Sequence, residues 1–337
     1  MKFRKMTSLA LMLAMAAMST GAVYADTADS APLTAYETVS YPVIGGNITF
    51  EKSTGAITNS DWEVVIVNIP EQIEGIDVTS IVEESHPFSV GHANTSFYAR
   101  ISLASLTLPK TLLSIGDRAF SGCTSLAKVD MSENLLFIGK ETFDGCSQLS
   151  SITLPDTLLS MGERAFRGCT ALQSVKLPAN LTSTSQANFE NCTSLRNIEL
   201  PESITSISNY SFNNTGLTSV VIPDNCASIG TEAFARCEGL EQVTIPKATV
   251  SISDTAFKDS GLKTVKCYKN SVADNAALYP EGVVFDYFDE PKPEQIISGD
   301  VDGDGRITAN DSAMVLQKAL LSTFKMNVDG VFNIAKD

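Results

Sequence analysis

Apolar residues recur at a fixed interval over most of the chain. Across residues 106–265 the same pattern of leucine, isoleucine, phenylalanine and cysteine returns every 23 residues, with one interval of 22. The phenylalanines that mark this period are Phe120, Phe143, Phe166, Phe189, Phe212, Phe234 and Phe257. A fixed period of this length indicates a solenoid, in which stacked copies of one short unit bury a continuous core.

Each repeat combines an apolar turn, a phenylalanine corner and a short strand. In the copy that contains Phe120, the corner reads Phe-Ser-Gly-Cys, and the following strand directs Leu126, Val129 and Met131 inward. Stacking turns each of these positions into a buried column. The predicted fold class is therefore a β-rich solenoid with repeats of about 23 residues.

Proline and cysteine keep the same register as phenylalanine. The two series are Pro109, Pro155, Pro178, Pro201, Pro223 and Pro246, and Cys123, Cys146, Cys169, Cys192 and Cys237. Stacked coils bring neighbouring cysteines to about 5 Å, close enough in principle for disulfides. Thr215 and Ser260 take the same place in two repeats, and small buried thiols commonly fill such corners, so we predict free thiols. Cys226 and Cys267 stand outside the column, and the sequence does not decide their pairing.

A ligand-binding stripe would appear at the outward-facing positions of the repeat strands, as aromatic residues or charges of one sign. These positions form one column, Asp130, Thr153, Lys176, Glu199, Val221, Thr244 and Lys266. The column mixes both charge signs and contains no aromatic residue. It is therefore interpreted as ordinary solvated surface rather than a platform on which sugars stack, and polar protein contacts remain open.

This repeat resembles the BspA-like leucine-rich repeats of bacterial surface and secreted proteins. The resemblance covers about two thirds of the mature chain and extends to the first turn, where residues 69–75 (IPEQIEG) precede residues 78–81 (VTSI). It implies a curved solenoid whose surface binds partners.

The flanking segments complete the domain organisation. Alternating apolar and polar residues over residues 35–67 predict β-hairpins, so residues 26–68 are expected to cap the open end. The solenoid is expected over residues 69–288, and its last part, residues 267–288, breaks the period and caps the final turn. An acidic, proline-bearing linker follows over residues 289–298.

One repeat carries an insertion. Residues 81–103 span 22 positions where the equivalent segment spans 11, and the extra residues are expected to bulge out of the solenoid. The segment holds Phe88, Phe97, Arg100 and both histidines, His86 and His92. Long loops on rigid scaffolds often bind partners, although an irregular surface turn explains it as well. Two histidines without further ligands make a poor zinc site.

The N-terminus predicts export. Lys2, Arg4 and Lys5 precede an apolar run, and Val23-Tyr24-Ala25 suits a signal peptidase, so residues 1–25 are expected to be a cleaved signal peptide. The chain has a net charge of −15 at pH 7; removing three cations and no anion makes it −18. This charge disfavours nucleic acid and anionic membranes as partners, and no other segment is apolar enough to insert in a bilayer.

Residues 300–311 (DVDGDGRITAND) place oxygen atoms at the spacing of a calcium loop. Gly305 permits the sharp turn at the sixth position, and an apolar residue, Ile307, stands at the eighth. The predicted Ca²⁺ ligands are Asp300, Asp302, Asp304, the backbone carbonyl of Arg306, Thr308 and Asp311.

Two features separate this loop from an ordinary EF-hand. It closes with Asp311 rather than glutamate, and prolines at Pro291 and Pro293 forbid a preceding helix. A helix over residues 312–321 follows it. Residues 299–321 therefore resemble the first half of a type I dockerin, a module that binds cohesins on a cellulosome scaffold. The resemblance implies a cohesin-binding face that includes Ala309, Asn310, Gln317 and Lys318.

The second dockerin half departs from the family pattern. Residues 325–336 repeat the loop with Asn327, Asp329 and Gly330 in place, but Lys325 and Lys336 fall where ligands belong. The sequence ends before a second helix, so either the dockerin is a divergent or single-calcium form or the sequence is cut short at its C-terminus. Residues 299–337 are thus expected to form a small α-helical, EF-hand-like module with an incomplete second repeat. This departure weakens the cohesin prediction more than the calcium prediction.

Together these patterns predict a secreted binding or adhesion protein without catalysis. The sequence shows no Ser-His-Asp arrangement, phosphate loop or isolated carboxylate pair. The expected partners are a cohesin and an unidentified protein or glycan. Two alternatives stay open: a carbohydrate-active enzyme component of polysaccharide breakdown, because most dockerin-bearing proteins are such enzymes, and a cell-surface adhesin that binds no cohesin.

Overall fold

A computed structural model of the chain describes residues 37–82 and 96–288. It contains short strands and a single 3-10 turn, Ala276–Leu278, within those ranges. The strands are β1 Thr38–Val43, β2 Gly46–Glu51, β3 Ala56–Ser60, β4 Ile66–Asn68, β5 Gln72–Ile73, β6 Ile76–Asp77, β7 Ser80–Ile81, β8 Ser105–Thr107, β9 Ser114–Ile115, β10 Lys128–Asp130, β11 Phe137–Ile138, β12 Ser151–Thr153, β13 Ser160–Met161, β14 Ser174–Lys176, β15 Asn197–Glu199, β16 Ser206–Ile207, β17 Ser219–Val221, β18 Ser228–Ile229, β19 Gln242–Thr244, β20 Ser251–Ile252, β21 Thr264–Cys267 and β22 Val284–Tyr287.

The predicted β-solenoid is confirmed. Most repeats contribute a three- or four-residue strand to one side of the coil and a two-residue strand to another, and both series pair in parallel with equivalent residues in register. The repeat that contains Ser183 lacks the two-residue strand and makes only an isolated bridge to Ser206. The long-strand side comprises three sheets, β4-β8-β10, β12-β14-β15 and β17-β19-β21-β22. The short-strand side comprises β7-β9-β11-β13, which continues the N-terminal hairpins, and β16-β18-β20.

A column of stacked aromatic rings forms the spine of the core. Adjacent phenylalanine rings from Phe97 to Phe257 lie 5.0 to 5.6 Å apart between centroids and are nearly parallel. All are fully buried. Offset stacking of this kind adds to the burial of large apolar rings. Because equivalent phenylalanines stack in register, the aromatic column is continuous from Phe97 to Phe257.

Both ends of the coil carry caps. Strands β1, β2 and β3 form antiparallel hairpins, as predicted, and β3 then pairs in parallel with β7, so the hairpins extend the short-strand side. At the other end β22 pairs with β21, and Tyr279 continues the aromatic column with its ring tilted by 40° against Phe257.

The structure corrects the extent of the predicted insertion. Phe97 and Arg100 do not bulge from the solenoid: both are buried, and Phe97 is the first ring of the column, 23 positions before Phe120. The Arg100 guanidinium donates to the Ser60 carbonyl at 2.7 Å and lies 4.0 Å from the ring centroid of Trp62. The extra residues fall between Val82 and Ser96, outside the described ranges.

The predicted signal peptide, linker, calcium loop and helix also lie outside the described residues. In the described ranges, no helix has the length and apolarity needed to cross a bilayer.

Candidate binding groove

The hydrogen-bond ladder of the short-strand side opens at one junction. At the preceding junction, Leu159 N donates to Leu136 O at 2.9 Å and Gly162 N donates to Ile138 O at 2.8 Å. Among the described residues, neither equivalent bond forms one turn later, from Thr182 N to Leu159 O or from Ser185 N to Met161 O. On the long-strand side the same two turns remain paired through β12 and β14. The opening is therefore confined to one side of the coil.

Side-chain hydroxyls replace the missing backbone contacts. Ser185 Oγ donates to Met161 O at 2.6 Å, and in the next turn Ser208 N donates to Thr184 Oγ1 at 3.0 Å. Glycine occupies the equivalent of Ser185 in the preceding turn, where a Cβ on Gly162 would lie only 2.4 Å from Lys140 N. Serine at this position does not by itself open a junction, because Ser253, at the equivalent place in a later turn, donates its backbone N–H to Ile229 O at 3.0 Å.

Two substitutions in the repeat accompany the opening. Thr184 stands in a column otherwise composed of Ile115, Ile138, Met161, Ile207, Ile229 and Ile252. Asn188 stands in a column composed of Ala119, Thr142, Ala165, Ser211, Ala233 and Ala256. Both departures occur in the same turn. Positions that break an otherwise consistent local rule are where function is expected.

The substituted side chains form a buried polar cluster. Thr184, Asn188 and Ser211 are all fully buried, and the hydroxyls of Thr184 and Ser211 lie 2.8 Å apart. Asn188 Oδ1 accepts only a long bond, 3.5 Å from Ala165 N, and Asn188 Nδ2 has no hydrogen-bond partner among the described residues. Burial of an unpaired amide group lowers the stability of a fold. The polar side chains of this turn are therefore less stabilising than the apolar ones of other turns.

A groove of about 480 Å³ lies over this cluster. Its lining residues are Glu163, Ser183, Thr184, Ser185, Gln186, Ser206, Ile207, Ser208, Asn209, Ser228 and Gly230. Most of them carry a hydroxyl or a carboxamide. The volume falls within the range of small-ligand sites.

Three serines form a ladder through the groove. Ser183 bridges to Ser206, and Ser206 pairs in register with Ser228, so equivalent side chains repeat at the strand spacing of about 4.8 Å. All three are partly exposed. A hydroxyl can both donate and accept a hydrogen bond, so the ladder presents a row of adaptable polar contacts.

The groove is close to electrically neutral. Glu163 is its one ionisable lining residue, and its carboxylate lies 3.2 Å from Lys140 Nζ. No histidine, lysine or cysteine lines this groove, and its one carboxylate, Glu163, is paired with Lys140. The arrangement suits hydrogen-bonded recognition rather than covalent chemistry.

Charged groups elsewhere on the coil tie neighbouring turns together. Glu141 accepts from Arg118 Nε at 2.6 Å and from Arg164 Nη1 at 3.3 Å. Burial opposes ionisation of Glu141, but the two guanidinium groups outweigh it and lower the pKa of this carboxyl. A second pair joins Arg167 to Asp144 in the same way. The carboxylates of Glu141 and Asp144 therefore form ion pairs that link neighbouring turns.

The cysteine prediction is confirmed, and it extends to the two residues left open. All seven cysteines are free and buried. Four thiols of the column donate to the carbonyl of a phenylalanine in the preceding turn, as Cys123 Sγ does to Phe97 O at 3.0 Å, and Cys237 donates to Phe212 O in the same way. Burial raises the pKa of Cys123 and Cys192 to about 12. Thiols held in this form are poor nucleophiles.

The strand column predicted as solvated surface is exposed along most of its length, from Asp130 to Val221. The residues predicted to bind calcium, Asp300 to Asp311, and the predicted cohesin-binding residues lie outside the described residues. Across residues 37–82 and 96–288, no group of three or more histidine, cysteine, aspartate or glutamate side chains could hold a metal ion. The groove itself was missed, although Thr184 and Asn188 signal it in the repeat columns.

Comparisons with known proteins agree with this architecture. A family model described as the BspA type leucine rich repeat region matches six copies over residues 93–215 and 185–278, which together cover more than half of the chain. No curated protein sequence matches the chain.

Several solved structures align with the chain. A leucine rich cell surface protein from Faecalibacterium prausnitzii aligns over 75% of this chain and 74% of its own length, with 23% identity and a TM-score of 0.50. A leucine-rich repeat protein from Bacteroides ovatus aligns over 73% and 78%, with 22% identity and a TM-score of 0.39. The pneumococcal vaccine antigen PcpA aligns over 65% and 68%, with 20% identity and a TM-score of 0.33. The first of these likenesses supports the fold.

Proposed function

The chain belongs to the BspA-type leucine-rich repeat family, and from this premise we propose that it is a secreted, non-catalytic binding or adhesion protein. The solenoid recognises an extracellular partner, and the C-terminal module anchors the chain to a scaffold. A rigid coil with a hydrogen-bonding groove suits recognition, since the scaffold holds the contacts in place without ordering costs on binding.

One observation carries the recognition role: the hydroxyl-lined groove over the turns of Ser183, Ser206 and Ser228, which lies beside the open junction between Met161 and Thr184. Evolution of a regular repeat favours closed, apolar junctions, because each unit is stabilised by its contact with the next. A polar, open junction in the middle of the coil lowers stability locally, and a binding role accounts for its presence.

The anchoring role rests on the calcium loop of residues 300–311. Asp300, Asp302 and Asp304 supply carboxylates, the Arg306 carbonyl and Thr308 add neutral oxygens, and Asp311 closes the site. These residues would hold Ca²⁺, and its binding would favour the folded form of the loop, because the ligands come together only in that form. Ala309, Asn310, Gln317 and Lys318 then face a type I cohesin.

The test is calcium-dependent capture of the full chain on immobilised type I cohesins, with and without a chelator. Capture that requires Ca²⁺ and is lost in Asp300→Ala supports the proposal. The matched control is Asp286→Ala, which removes an exposed carboxylate of β22 and leaves capture intact. Absence of capture by every cohesin, with calcium binding retained, removes the anchoring role and leaves a surface adhesin.

An enzymatic role is the second candidate that the dockerin resemblance raises. The described solenoid argues against it, because the thiols are buried and the one carboxylate of the groove, Glu163, is paired with Lys140. Hydrolysis of polysaccharide by the purified chain, lost on substitution of Glu163, contradicts the non-catalytic proposal.

A further inference from the structure

The geometry of the groove points to a neutral saccharide as the ligand of the solenoid. This inference rests on the proposed recognition role and narrows it to one class of ligand and one site. It follows from four properties of the groove: its charge, its polarity, its direction across the strands and the buried cluster beneath it.

Charge excludes ionic ligands from the groove. Glu163 is neutralised in part by Lys140 at 3.2 Å, and the remaining lining residues carry no charge. An anionic ligand finds no lysine or arginine among the lining residues and meets a chain whose net charge is −15. A cationic ligand finds a single carboxylate that is already paired. Recognition by ion pairing is therefore ruled out as the main contribution.

Polarity excludes apolar ligands. Ile207 is the sole large apolar side chain in the lining, and it is buried. Apolar ligands bind when they leave water for an apolar surface, and this groove offers almost none. Instead it offers the hydroxyls of Ser183, Ser206 and Ser228, none of which makes a side-chain hydrogen bond to another described residue, together with the Gln186 carboxamide.

The direction of the serine ladder across the strands distinguishes a saccharide ligand from a peptide ligand. A peptide that adds to a sheet edge pairs its backbone along a strand. The serine ladder runs across the strands, with one side chain per turn, and the backbone groups beneath it are engaged by neighbouring turns in β16 and β18. A chain of sugars presents hydroxyls at repeated intervals along its length, and each hydroxyl donates and accepts as a serine hydroxyl does.

The buried cluster supports the same site. Thr184 reaches from the lining into the core, where its hydroxyl meets Ser211, and the same turn buries the unpaired Asn188 amide. Apolar residues occupy these positions in most other turns, so the polar set coincides with the open junction that borders the groove.

The experiment measures binding of neutral oligosaccharides to the full chain by isothermal titration calorimetry. The probes are cellohexaose, xylohexaose, mannohexaose and maltohexaose. At least one is expected to bind with one-to-one stoichiometry, and the double variant Ser206→Ala/Ser228→Ala is expected to bind it roughly three- to tenfold more weakly for each hydroxyl removed.

The matched control is Ser114→Ala/Ser251→Ala, which removes two serines of the same column outside the groove. It should bind the probe as the unsubstituted chain does. Circular dichroism and the thermal midpoint verify that both variants keep the coil. If the groove variant fails to fold, Gln186→Ala tests the same site from a partly exposed position.

Three outcomes overturn the inference. The inference is wrong if none of the four probes binds. It is also wrong if the groove and control variants weaken probe binding equally. Retention of peptides from a displayed library, lost in Ser206→Ala/Ser228→Ala, assigns the groove to polypeptide instead. Each is independent of cohesin capture, so a failed anchoring role and a failed saccharide site give different results.

Discussion

The Thr184 and Ser211 hydroxyls lie 2.8 Å apart at fully buried positions in neighbouring turns. Ser211 also donates to Ser208 O at 2.7 Å, and Thr184 accepts from Ser208 N. These two hydroxyls are therefore satisfied, whereas Asn188 Nδ2 beside them is not. The polar turn is stable because most of its groups are paired, and its weakest member is the asparagine.

Asn188→Ala is expected to stabilise the solenoid by about 1 kcal/mol. The substitution removes a buried, unpaired amide group and installs the residue that most repeats carry at this position. The midpoint of urea unfolding measures the change. Ala165→Asn is the mirror-image control, one turn earlier, and is expected to destabilise; a stability loss in Asn188→Ala shows that the amide is paired in solution.

Phe166→Ala is expected to destabilise the coil by about 3 to 5 kcal/mol. Its ring is fully buried between Phe143 and Phe189, at centroid distances of 5.3 and 5.6 Å, so truncation leaves a cavity in the aromatic column. Leu159→Ala, at a side chain that is 44% exposed, should change stability by no more than about 0.5 kcal/mol. Equal effects of the two variants contradict the stacked spine.

Stability is expected to fall as the pH rises from about 9 towards 12. Burial raises the pKa of Cys123 and Cys192 to about 12 from an ordinary value of 9.0, so the unfolded chain loses these protons first. In that window the unfolded state binds fewer protons, and each thiol lowers the free energy of unfolding by about 1.4 kcal/mol per pH unit. Below pH 9 this contribution to stability is fully present.

Urea titrations at several alkaline pH values test this dependence. The double variant Cys123→Ala/Cys192→Ala should show a shallower slope, whatever its stability at neutral pH, because the two titrating groups are absent. An unchanged slope would falsify the assignment of the alkaline loss to these thiols.

The C-terminal module is expected to bind one Ca²⁺ per chain. The first loop supplies a full ligand set, while Lys325 and Lys336 occupy ligand positions of the second. Calorimetry of the full chain measures the stoichiometry, which should fall to zero in Asp300→Ala and stay at one in Asp329→Ala. A stoichiometry of two shows that the second loop binds despite its lysines.

Much of the architecture was predictable because the repeat is strict. The interval of 23 residues between Phe120 and Phe143 already implies stacked turns, and cysteine at the same register implies a buried column. The cap hairpins followed from alternation over residues 35–67. Each of these features depends on contacts between residues at equivalent positions, which a period reveals directly.

The predicted insertion included too many residues, because the 23-residue period also holds for the repeat before Phe120. Phe97 stands 23 residues before Phe120, but the surrounding residues 81–103 break the pattern of turns. Packing decided the matter: the Phe97 ring stacks on Phe120 at 5.0 Å, and Arg100 is held by Ser60 from the hairpin cap. Contacts of Arg100 with a cap residue 40 positions away leave no trace in a local pattern.

The sequence by itself determined the solenoid, its period and its buried thiols, because these follow from identical neighbours stacked in register. Tertiary structure alone decided where the coil opens. Thr184 and Asn188 are visible as exceptions in their columns, yet an exception does not show whether two turns close around it or separate. That outcome depends on which hydrogen bonds the turns of Met161 and Thr184 exchange, and there the hydroxyl of Ser185 takes the place of the backbone.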